Sequence, residues 1–444
     1  MKADIRIAWL LARGSGRREW WRFSLTALGA VLATGFALAA VTVAAVSGQV
    51  SIPYAHGLLN GPGERTGVVG TLVLLLIPVL AFLGQCARVG AVRRHRRTAG
   101  MRLAGASPAQ VRRIAAVESA LACLLGSVAA FAAFAALLAT TGHAPPPLAW
   151  AGFAAVVLAV PAVAAPVGVL ALRHAVASPL DQMRRTGPDR RRRAVPGLLL
   201  ATVLLVTGAL LPVAAADVHS MAFPLLVVAL VLLTGVGAIW VAGSSGAYLG
   251  RRLTRRARRA DVLIAAGRLA QDPWAAARTH AALLLVTVVG VGFVGVRAVL
   301  LEKLGEEEYL VQDLAFYHAG IDLAGAAVLI GLAISLCGLA VGAAESLATR
   351  RGGLAVQVAA GVPRAVLARA ALLETALPLA PALLLAGVGG TAVYVTYATV
   401  VDAGSLPLAP LLVPVVVYAA CLSAAALSLP LLRRAAHPQE LRFT

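Results

Sequence analysis

Uninterrupted apolar blocks dominate this chain and leave it few folds. An α-helix rises about 1.5 Å per residue, so about 20 consecutive apolar residues cross a hydrocarbon core about 30 Å thick. Ten such blocks occur, at 23–46, 67–87, 114–140, 148–172, 197–216, 222–244, 280–301, 322–344, 370–395 and 406–432. Only 13% of the residues are charged, against about 25% in soluble domains. In lipid every backbone polar group must be satisfied within its own segment, so the blocks predict an all-α polytopic membrane protein with ten transmembrane helices. The first block is longer than a signal-peptide core and follows a charged lead-in, so it reads as a retained span.

The net charge of +20 would fit a nucleic-acid binder, but its placement argues otherwise. Of 39 Lys and Arg residues, 36 fall in six segments: 1–22, 88–113, 173–196, 245–279, 345–369 and the tail after 432. These are alternate loops and both termini. Basic loops mark the cytoplasmic side, so both termini are expected there, with the basic residues also holding anionic lipid headgroups. The run Arg190–Arg193 has no interleaved aromatics and no nucleic-acid module beside it, which excludes a nucleic-acid partner from the reading. Cys86, Cys123, Cys337 and Cys421 all lie inside apolar blocks without CxxC spacing, and read as packing residues.

An internal repeat appears at a spacing of 256 residues. Arg97, Arg102, Leu103, Gly105, Ala106, Ser107 and Arg113 lie between blocks two and three, followed by Glu118. Gly361, Val362, Pro363 and Arg369 lie between blocks eight and nine, followed by Glu374, with Gly105 over Gly361, Arg113 over Arg369 and Glu118 over Glu374. Asp4–Ala8 before block one also matches Asp261–Ala265 before block seven, at an offset of 257. Both have apolar residues at helical spacing (Ile5, Ala8, Trp9, Ala12; Val262, Ala265, Ala266, Leu269), the pattern of a helix lying along the membrane surface. The resulting organisation is a lead-in helix 1–22, a four-span module 23–196, two linking spans 197–244, a basic linker with an amphipathic helix 245–279, and a second four-span module with its tail 280–444. Each module begins and ends on the cytoplasmic side, so the repeat is parallel, unlike the inverted repeats of many secondary transporters.

Catalytic machinery is missing. No GxxxxGK[ST] phosphate loop, HExxH or GxSxG occurs, and the eight histidines are scattered singly, so the chain reads as a non-enzyme binding no metal or cofactor itself. No carboxylate ladder crosses the blocks, as a proton-driven carrier would need. Glu118 and Glu374 stand about one turn inside their blocks, near Arg113 and Arg369. Each glycine turn is followed by a helix running into a span, with Ser107 placed to cap it and Pro108 in its first turn. Such a rigid knob can transmit a push from a soluble partner.

These segments resemble the FtsX-like permease family, the membrane subunits of type VII ABC transporters, which include the MacB, Lol and bacitracin-export permeases. The resemblance rests on Arg102–Ser107, Arg112, Arg113 and Glu118, on the looser second copy Val358–Pro363, Arg369 and Glu374, and on the ending Pro438–Arg442. It implies two FtsX-like modules and a separate cytoplasmic ABC ATPase, in two copies, carrying ATP and Mg. That ATPase would dock on the loops after spans two and eight and move helices rather than open a pore (mechanotransmission). Family members insert a sizeable extracellular domain, whereas loops 47–66 and 302–321 span 20 residues each here. That favours a lipid or amphipathic peptide taken laterally from the outer leaflet of a bacterial cell membrane. The alternative is a transmembrane signalling or scaffold protein that regulates a cell-wall enzyme or sensor kinase without transport.

Overall fold

The computed structural model describes residues 17–52, 55–87, 100–101, 103–141, 145–176, 222–306 and 312–435. The described residues form helices and turns without a strand. Among the described residues nine helices are long and apolar enough to cross a membrane, the mark of a multi-pass membrane protein. Nine of the expected blocks coincide with them; the block 197–216 lies outside the described residues. The chain divides into two compact units, Met1–Gly187 and Pro188–Thr444.

In the first unit, α1 (Arg17–Ala44), α2 (Pro62–Cys86), α3 (Pro108–Thr141) and α4 (Pro147–Val176) form a bundle. Helix α1 packs against the other three, and α3 packs along α4. Two small residues let α1 and α3 approach closely: a Cβ placed on Gly126 would lie 2.3 Å from the Ala27 carbonyl oxygen and 2.8 Å from the Ala30 methyl. Small residues at helix crossings are how spans associate in lipid, where apolar burial gives little drive. At one end, Phe134, Phe153 and Trp150 stack edge-to-face at 5.4 and 5.5 Å over buried Leu38, joining α3, α4 and α1. The short α1–α2 loop at that end is tied by Arg65, which donates to the carbonyls of Gly48, Leu59 (3.0 Å) and Asn60 (3.2 Å).

The second unit contains α5 (Ala222–Arg256), α6 (Ala260–Gln271), α7 (Pro273–Glu306), α8 (Leu314–Thr349), α9 (Arg351–Ala359), α10 (Arg364–Val400), α11 (Val413–Ala426) and α12 (Leu429–Ala435). Its core joins α5, α7, α8, α10 and α11 around Ala242, Leu284, Leu339, Leu379 and Cys421. Helix α5 is thus a working member of this bundle, packed on α7 and α10. It also runs past the expected boundary at 244 to Arg256. The Gly-Ser-Ser-Gly stretch reads as a loop, yet Ser244 and Ser245 fold their hydroxyls back onto the carbonyls of Val241 and Ala242 at 3.3 Å. That self-satisfaction lets polar residues continue a helix.

The amphipathic pattern at 261–269 does form a helix, α6, but its apolar face does not lie open for a membrane surface. Ala265, Ala266 and Leu269 are buried because α6 packs on α5 and α10. Gly250 makes this possible, since a Cβ there would lie 2.6 Å from the Ala270 nitrogen. The matching lead-in segment 1–16 lies outside the described residues, as do the linker 177–221 and the ending Pro438–Arg442.

Candidate functional site

The two glycine turns share their backbone twist and two hydrogen bonds. Gly105 has φ +93° and Gly361 φ +88°, a left-handed backbone that favours glycine. In the first turn Ala106 N–H donates to the Met101 carbonyl (2.9 Å) and Ala104 N–H to Gly100 (3.0 Å). In the second, Val362 N–H donates to Gln357 (3.0 Å) and Ala360 N–H to Val356 (2.9 Å). Each donor and each acceptor is displaced by 256 positions. The bond spanning five residues around a left-handed glycine is the Schellman helix stop. The helices that follow, α3 and α10, begin at Pro108 and Arg364, again 256 apart.

Helix entry differs between the copies. Ser107 caps α3 as expected: Gln110 N–H donates to Ser107 Oγ (3.2 Å) and Ser107 N–H to Gln110 Oε1 (2.8 Å), a reciprocal capping box. In the second copy Pro363 stands at the cap position with no side-chain bond. There Val362 and Val358 instead pack beside Leu347, Leu354, Leu367 and Leu432, seating the turn on α6, α8, α10 and α12. Leu103 at the tip of the first turn is 91% exposed, and Gly361 and Pro363 are exposed as well. Arg97 and Arg102 lie outside the described residues.

Beyond each turn one helix face is buried in the same register. Val111, Ile114 and Glu118 are buried on α3; Leu367 and Ala370 are buried on α10, with Glu374 completing the stripe. Arg113 and Arg369 are exposed. Five residues separate each arginine from its glutamate, about 140° around a helix at 3.6 residues per turn, so the two side chains leave different sides of the helix. Glu118 instead takes Arg22 of α1 as its buried partner, each side chain 8% exposed. Glu374 takes two partners, Arg350 at 2.6 Å and Arg268 of α6 at 3.2 Å. Arg369 turns to Asp261 of α6, 3.8 Å away.

Helix α6 is therefore fastened to the second turn through two ion-pair sets. Asp261 also accepts from Arg259 (2.8 Å) and from the Val262 N–H (2.9 Å). Burial pushes its carboxyl up, but the Arg259 and Val262 bonds and the Arg259 and Arg369 charges outweigh this and hold it below the usual aspartate range. Burial pulls the Arg268 guanidinium below its ordinary value, Glu374 opposes that, and nearby Arg350 adds to it.

Arg22, Arg268 and Arg350 are the members of the site that sequence reasoning missed. In the sequence they count only as basic-loop charges. The available signal was the carboxylates themselves: a glutamate inside an apolar helix requires a cation from another helix. Arg22 and Arg278 are also 256 apart, yet Arg278 bonds Asp272 at 3.3 Å, so the repeat does not carry the pairing over. Among the described residues no cluster of three His, Cys, Asp or Glu side chains could hold a metal ion. Compared with protein-family models, curated proteins and solved structures, the chain matches none.

Proposed function

We propose that this chain is an ABC transporter permease of the FtsX-like kind, a non-catalytic membrane subunit that couples ATP hydrolysis by a separate cytoplasmic ATPase to export or extraction of a lipid or amphipathic peptide. The observation that carries the reading is the pair of glycine turns, which share two backbone hydrogen bonds and are each backed by a helix whose glutamate is salt-bridged. A tip that must pass on force needs a fixed shape and a stiff connection to the span behind it. The helix stop supplies the first, and the Arg22–Glu118 and Arg268–Glu374–Arg350 pairs supply the second. The basic segments place both turns, and both termini, on the cytoplasmic side of a bacterial plasma membrane, where an ATPase dimer would meet them. The ten-span arrangement as two parallel four-helix modules belongs to the same reading.

The test is reconstitution with candidate cytoplasmic P-loop ATPases. Leu103→Asp and Gly105→Val are expected to weaken complex formation and to abolish any permease-dependent rise in ATP turnover, while the bundle still folds. Unchanged turnover in both would overturn the coupling role. A stable complex with a sensor kinase and no ATPase binding would favour the signalling alternative.

A further inference from the structure

The first unit contains a groove of about 380 Å³. Its walls are α2, through Leu76 and Leu83, and α4, through Val160 and Ala164; α1 and α3 form its floor. Helices α2 and α4 share no extended packing interface among the described residues, whereas the counterpart helices α8 and α11 of the second unit pack directly together. All the lining side chains are apolar or thiol except Arg22, Thr26 and Ser119, which gather at the end nearest the glycine turn.

Dimensions and charge identify an occupant. Along α1 the groove runs from Arg22 to Ala37, 15 residues or about 22 Å of helix. It begins beside exposed Trp20 and Trp21, residues typical of headgroup depth, and extends one leaflet inward. Arg22 carries five N–H donors in a planar fork, and its one described partner is Glu118, which does not line the groove. Arg22 thus both lines the groove and holds the Glu118 carboxylate, and a guanidinium fork with donors beyond that one bond suits phosphate oxygens.

We infer that this groove holds one acyl chain of an anionic phospholipid from the leaflet on the glycine-turn side, with its phosphate on Arg22. The site stands independently of whether an ATPase binds the turns. A phosphatidylglycerol carrying a photoactivatable diazirine in mid-chain, incorporated at low fraction into phosphatidylcholine nanodiscs with the full chain, tests it. Label is expected on the segments Leu76–Ala87 and Val156–Ala164. Unlabelled phosphatidylglycerol should compete about fivefold better than added phosphatidylcholine, the worth of one basic contact near the surface. Ala159→Trp, which fills the groove, should remove the label, while Leu158→Trp on the outward face should not. Arg22→Gln combined with Glu118→Gln keeps a neutral hydrogen-bonding pair; it should retain chain labelling and lose the headgroup preference. Label spread evenly over outward residues such as Leu329, labelling indifferent to Ala159→Trp, or equal competition by the two lipids would each overturn the assignment.

Discussion

The two units solve one problem in different ways. Each must anchor a glycine turn to a membrane-spanning helix through a glutamate that lipid will not tolerate alone. The first uses a buried arginine, Arg22, and leaves a groove between α2 and α4. The second spreads the task over Arg268 and Arg350, both partly exposed, adds α5 and α6 against α7 and α10, and closes α8 onto α11. Similar backbone turns over different foundations teach that the repeat keeps the turn's backbone more closely than the packing beneath it.

Burial decides the largest expected difference. Glu118→Ala leaves Arg22 charged and buried without its partner, at a cost of about 3–5 kcal/mol. Glu374→Ala acts on a more exposed network and should cost about 1 kcal/mol. Thermal unfolding of the detergent-solubilised variants measures both, and equal losses would erase the distinction between the units. Next come the helix crossings. Gly126→Val drives a side chain into the Ala27 carbonyl and is expected to lose about 1–3 kcal/mol. Gly390→Val, whose Cβ would lie 2.7 Å from the Val288 carbonyl oxygen, should match it. Gly70→Val, with open space around it, is the control that should change little.

The turns themselves should respond alike. Gly105→Ala and Gly361→Ala each force an L-residue into a left-handed backbone at about 1–2 kcal/mol, read as faster amide exchange at the turn and the first turn of the following helix. The smallest effect separates the units by pH. Asp261 has a folded pKa below its unfolded value, so its stabilisation is present above the ordinary aspartate pKa and is lost as pH falls through the lower folded value. Amide exchange in α6 is therefore expected to rise on acidification across that window. Asp261→Asn should already exchange faster at neutral pH and lose the pH dependence.

Much of this was legible in the sequence because the signals are local. Twenty-residue apolar runs give spans, and a glycine followed by Ser107-Pro108 gives a helix stop and restart. The partner of Glu118 was not legible: Arg22 lies 96 positions away, and nothing local separates it from Arg17 or Arg18. The reach of α5 to Arg256 was hidden by serines that bond their own helix. The fate of the α6 face was hidden because one apolar stripe suits a lipid surface and a neighbouring helix equally. Topology from charge weighs every arginine the same, whereas the folded chain sets Arg22, Arg268 and Arg350 against Glu118 and Glu374.

The central claim, that both turns press on a separate ATPase, is tested most directly by site-specific photo-cross-linking in intact cells. A benzoylphenylalanine at Leu103 and, separately, at Ala359, its equivalent 256 residues on, should each capture the same ATPase chain, with capture changing between ATP-loaded and ATP-depleted cells. Capture from neither position, or reaction of either position with a membrane-impermeant reagent added outside the cell, would contradict the account.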